Sequence, residues 1–125
     1  MRNSIAILAI ILLLIACKNT ENKTNRLAKA SRENKNGWVY VHLEGSPADI
    51  GYQHGYLLAN EIDSALQMMS YYLTNVTKRN WNFYRNASQK FFWNKLDKEY
   101  QDEIIGIAEG LQAKEKNMIR LILLH

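Results

Sequence analysis

The chain has one cysteine, one proline and three histidines in 125 residues. Cys17 has no partner, so an internal disulfide is excluded. His42, His54 and His125 are scattered, and neither an HExxH nor a CxxC pattern occurs, so metal-ligand spacing is missing and no metal or cofactor is expected. After Cys17 no thiol nucleophile remains. The longest apolar run, Ile5 to Ala16, falls short of the roughly 20 residues a membrane-spanning helix needs.

What is present begins with that run. Met1-Arg2-Asn3 gives a short basic lead, the apolar core follows, and Leu14-Ile15-Ala16-Cys17 closes it. This is the layout of an export signal. Its end resembles a bacterial lipobox, which implies cleavage before Cys17 and lipid on that residue. The expectation is a signal peptide over 1–16, followed by an exported chain held on a bacterial membrane, at the outer membrane or periplasmic face.

The formal net charge is +4. From Lys18 to Asn36 six cations face Glu21 and Glu33, whereas from Gly37 onward nine cations face ten anions. The basic character therefore belongs to a polar stretch with little to bury. Residues 17–36 read as a lipidated cysteine with a disordered basic linker, suited to an anionic lipid surface. A near-neutral remainder argues against a nucleic-acid partner.

The folded part is expected over 37–125, with an α+β composition. Trp38 to Glu44 alternates with period two and predicts one strand. Gly45 ends it, Ser46 can cap a helix, Pro47 fits the first helical position, and Asp49 completes a capping box. Apolar spacing predicts a helix from Pro47 to about Asn75, with Ile50, Leu57, Leu58, Ile62, Ala65, Met69 and Tyr72 as its inner stripe, a second from Trp81 to Leu96, and a third from Lys98 to about Lys114. A fourth begins at Met118. Trp81, Phe83, Tyr84, Phe91, Phe92 and Trp93 are expected as core, with a binding face as the alternative. A lone strand has two unpaired edges, so the segment reads as part of a larger unit.

Gly51 and Gly55 stand four apart in the first helix, and Gly106 and Gly110 four apart in the third. Each interior glycine costs a helix about 1 kcal/mol against alanine. Close backbone approach would offset that, so each face is expected to meet a close neighbour, the other glycine face being one candidate. His54 fits better as a packed imidazole bonded to backbone or to Glu109 than as a base or ligand.

Gly45-Ser46-Pro47-Ala48-Asp49-Ile50-Gly51-Tyr52-Gln53-His54-Gly55 resembles the G-[ST]-P-x-x-[IM]-G-x-x-H-G start of the acyl-coenzyme A:6-aminopenicillanic acid acyltransferase family (peptidase family C45, with phospholipase B-like relatives). Glu103 to Gly110 is similar to its E-[IL]-x-G-I-A-x-G segment. The resemblance implies the N-terminal piece of an αββα sandwich of the N-terminal-nucleophile hydrolase type. It also implies a precursor that cuts itself before a cysteine and an acyltransferase or amide hydrolase acting on small N-acyl substrates. That cysteine has no counterpart here, so no catalytic residue can be placed in this chain. The expected partners are membrane lipid through Cys17 and the remainder of the enzyme. The alternative is a non-catalytic helical surface lipoprotein.

Overall fold

In the computed structural model, which describes residues 25–114, the chain is α+β: a two-stranded antiparallel sheet and a set of helices. A helical turn at 25–27 leads into β1 (Ser31–Lys35), which pairs with β2 (Trp38–His42). Four helices follow: α1 (Pro47–Leu57), α2 (Ala59–Thr77), α3 (Trp81–Phe91) and α4 (Lys98–Ala113), with a 3₁₀ turn at Trp93–Lys95.

The lone strand and the extent of the linker are both corrected here. Residues 25–36 are folded, and the predicted strand has a partner. Asn36 and Gly37 carry φ of 53° and 80°. These are the two positive values a two-residue hairpin turn needs to follow the twist of its strands. The register sets Lys35 opposite Trp38 and Ser31 opposite His42. Cys17, the 1–16 leader and the fourth helix lie outside the described residues.

The first predicted helix is two. It breaks at Leu58, whose φ and ψ of −111° and 24° leave the helical region. No glycine or proline marks the spot. Instead, Arg32 reaches from β1 and donates to the Leu57 carbonyl at 2.7 Å, a group that a continuous helix would use internally. The same guanidinium forks onto both oxygens of Glu61, at 3.1 and 2.7 Å.

Local signals held elsewhere. Ser46 caps α1 and Asn80 caps α3 through side-chain oxygens. Lys98 begins α4 after Asp97, which makes no side-chain capping bond.

The core sits between α1 and α4. Tyr52, Ala59, Ala108 and Leu111 are its buried hydrophobic residues, with Ile62, Leu66 and Ile107 packed around the last turns. No residue of α3 is buried, and in α2 only Ala59 is. The aromatics expected as core are therefore largely outside it: Phe83, Phe91 and Phe92 are exposed. Met69 and Tyr72, placed on the inner stripe by periodicity, are also exposed; Met69 shares the face of Ile62 and Leu66, but of that face only those two pack against the core among the described residues.

Candidate functional site

The two glycine segments form one seam. A Cβ on Gly51 would stand 2.0 Å from the Glu103 carbonyl oxygen, and one on Gly55 would stand 2.1 Å from that of Ile107. From the other side, a Cβ on Gly106 would meet the Ala48 carbonyl oxygen at 2.3 Å, and one on Gly110 that of Tyr52 at 2.1 Å. Partners advance together along both helices, so α1 and α4 run parallel. At each glycine an α-hydrogen points where the Cβ would be, towards a carbonyl. Such Cα–H···O contacts are worth about 0.5–1 kcal/mol each. Four of them return roughly 2–4 kcal/mol, close to the ~4 kcal/mol the four glycines cost in propensity.

At the N-terminal end of the seam, β2 hands the chain to α1 through Gly45, which has a φ of 141°. Ser46 Oγ donates to Asp49 Oδ2 at 2.6 Å and accepts from the Asp49 N–H at 3.3 Å. Gln53 lies just inside and is 1% exposed. Its Nε2 donates to the carbonyls of Arg26 and Glu44, at 2.7 and 2.8 Å, and its Oε1 accepts from the Glu44 N–H at 2.9 Å. One buried amide thus ties the incoming segment to the end of β2.

Arg26 fastens the other side. Its side chain is 18% exposed; Nε donates to Asp49 Oδ1 at 3.0 Å and Nη1 to Glu109 Oε2 at 2.8 Å. Nη2 donates to the Ala48 carbonyl at 2.6 Å. The guanidinium lies 4.1 Å from the centre of the Tyr52 ring, which stacks on Tyr56 at 6.2 Å. A single cation therefore joins the segment before β1, the start of α1 and the face of α4. Planar, multiply bonded sites of this kind suit arginine and not lysine.

These residues floor a groove of about 530 Å³, with Lys29 and Glu44 on its rim. Lys29 Nζ meets Glu44 Oε1 at 2.7 Å. The Lys29 ammonium holds the Glu44 carboxyl below its ordinary value. The Asp49 carboxyl is also held low, first by the Ser46 hydroxyl and further by Arg26, against the opposing effect of desolvation. Every buried side-chain polar atom among the described residues has a partner. The groove's charges are mutually satisfied, and its floor reads as a clamp.

Gly51 and Gly55 lie in one seam with Gly106 and Gly110, as expected, while Gly45, Ser46 and Pro47 stand at the start of α1. His54 is placed differently from its expected role. It is half-buried, and no side-chain hydrogen bond to it forms among the described residues; Glu109 is taken by Arg26. Arg26 and Gln53 escaped the sequence reading, the first because its whole segment read as linker. The Asn36-Gly37 pair between alternating residues was the signal that could have recovered it. Among the described residues no cluster of His, Cys, Asp and Glu has the makings of a metal site.

Comparison with protein-family models, curated proteins and solved structures finds no match to this chain.

Proposed function

We propose that the chain is the N-terminal portion of a lipid-anchored, self-cleaving acyltransferase or amide hydrolase of small N-acyl substrates. In this reading Cys17 carries lipid after the 1–16 leader is removed. A downstream chain contributes the remaining layers of an αββα sandwich and the nucleophilic cysteine. The freed α-amino group of that cysteine takes its thiol proton, the sulfur adds to the amide carbonyl, and the amine leaves with a proton. Water or another amine then releases the acyl group from the thioester. The segment described here would brace one wall of that site.

The observation that carries the reading is the seam. The two stretches that resemble the acyltransferase family, residues 45–55 and 103–110, are far apart in the chain, yet the helical glycines Gly51, Gly55, Gly106 and Gly110 each lie against a backbone carbonyl of the other stretch. The exposed hairpin adds support. Trp38 is 71% exposed and Val39, Tyr40 and Val41 are open too, as expected of a strand awaiting neighbours.

The test joins two measurements. Purified chain alone should not hydrolyse N-acyl amides, and the reading frame beyond His125 should continue to an Asn-Cys or Gly-Cys junction. Turnover by the isolated chain would refute the division of labour. A stop codon directly after His125 would favour the second reading, a non-catalytic surface lipoprotein, which the exposed aromatics of α2 and α3 also support.

A further inference from the structure

We propose that the stretch from α2 through α3 is a docking surface for an anionic lipid bilayer, reading both its charge and its hydrocarbon. From Ser64 to Leu96 the chain carries Lys78, Arg79, Arg85, Lys90 and Lys95 and not one Asp or Glu. These residues form most of α2, its turn, all of α3 and the 3₁₀ turn. Elsewhere on the fold the charges pair across elements: Arg26 with Asp49 and Glu109, Arg32 with Glu61, Lys29 with Glu44. No carboxylate of the described residues pairs with Lys78, Arg79, Lys90 or Lys95. A surface of one sign calls for a partner of the other.

The same stretch holds the largest open apolar side chains outside β2. Tyr71 is 74% exposed, Met68 67% and Phe92 64%, with Tyr72, Phe83 and Phe91 also open. On α3, Phe83, Ala87, Lys90 and Phe91 fall on one face by three- and four-residue spacing. The cations sit beside the rings they accompany: Arg79 is 4.1 Å from the Phe83 centroid, and Lys90 Nζ is 5.5 Å from that of Phe91. Interfacial helices set apolar rings at the hydrocarbon boundary while neighbouring long cationic side chains reach the headgroups. Adjacent phenylalanines and a methionine gain from hydrocarbon. Rings can also stack on unpaired bases, but the open Met68 and Val76 gain from hydrocarbon and offer a nucleic acid nothing, which sets the lipid surface ahead. Among the described residues no helix is long and apolar enough to cross a membrane, so the contact is peripheral. This surface is separate from the seam and does not rest on the acyltransferase reading.

The test uses the full chain and vesicles of phosphatidylcholine, with or without phosphatidylglycerol, scored by flotation and by quenching of tryptophan with brominated acyl chains. One variant combines Lys78→Gln, Lys90→Gln and Lys95→Gln; another combines Met68→Ser, Phe91→Ser and Phe92→Ser. Each lysine should contribute roughly fivefold in affinity for the anionic vesicles, so the glutamine set should lose on the order of 100-fold and much of the salt dependence. The serine set should reduce both binding and quenching. All six positions face solvent, so far-UV spectra should match the parent; should the serine set unfold, the glutamine set decides. Unchanged vesicle affinity in the glutamine set would overturn the proposal. So would a parent chain that binds single-stranded oligonucleotide but not anionic vesicles.

Discussion

Replacing Gly51 with alanine pits helix propensity against the seam. An exposed helical glycine gains about 1 kcal/mol on becoming alanine. Here the new methyl would lie 2.0 Å from the Glu103 carbonyl oxygen, where ordinary contact begins at 3.4 Å. The obstacle is backbone, so no side chain can swing aside. Relief requires α1 and α4 to part by about 1.4 Å, the difference between those two distances. That separation forfeits the four Cα–H···O contacts, roughly 2–4 kcal/mol, and loosens Tyr52, Ala108 and Leu111. Together these losses outweigh the propensity gain, for a net destabilisation of about 2–4 kcal/mol. A domain of this size has only ~5–15 kcal/mol in hand. Urea unfolding of the full chain, followed by far-UV circular dichroism, measures the shift. Gly37→Ala is the control. It has open space around it but a φ of 80°, and should cost only ~1–2 kcal/mol. If Gly51→Ala raises stability by about the propensity increment, the close approach of the two helices is wrong.

Other perturbations probe the clamp. Arg26→Lys should cost about 2 kcal/mol, because one ammonium cannot serve Asp49, Glu109 and the Ala48 carbonyl together; wild-type urea resistance in this variant would remove the fork from the account. Gln53→Leu should cost about 2–3 kcal/mol by leaving the Glu44 N–H and two carbonyls without partners, with matching loss of amide exchange protection at Glu44. Asp49 and Glu61 are held below their ordinary values, Asp49 chiefly by Ser46 and Glu61 chiefly by Arg32. The unfolded chain therefore binds these protons first. The stabilisation is present above the ordinary carboxylate range near ~4 and is lost as the pH falls through the lower folded values. Thermal unfolding from pH 6 to 3 should show a shallower decline in Asp49→Asn/Glu61→Gln than in the parent; parallel declines would contradict the assignment.

The parts of the fold that could be read in advance were governed by local chemistry. Ser46, Pro47 and Asp49 announce the start of α1. The glycine pairs were legible because they are costly, and the cost pointed to a compensating neighbour. The misreadings came from tertiary terms. Residues 25–36 are polar enough to pass for a tether, and they fold because Arg26 and Arg32 each find carboxylates and carbonyls that lie at least twenty-two positions away. The break at Leu58 follows from Arg32 as well, so no residue near it gives warning. Period alone placed Met69 and Tyr72 inward; it reports that α2 has an apolar stripe, not how far along it the core extends. The candidate site was half visible: its glycines could be named, while the arginine and glutamine that lock it could not.

Arg26 also sets a length. With the chain secured there, a lipid on Cys17 would leave nine residue steps of leash, at most roughly 30 Å when fully drawn out. A tether running on to Gly37 would have allowed about 70 Å. The nineteen residues of α2 span about 28 Å, so leash and helix are matched in reach. With lipid there, a molecule moored this tightly would stay within that reach of the bilayer, with few orientations open to it.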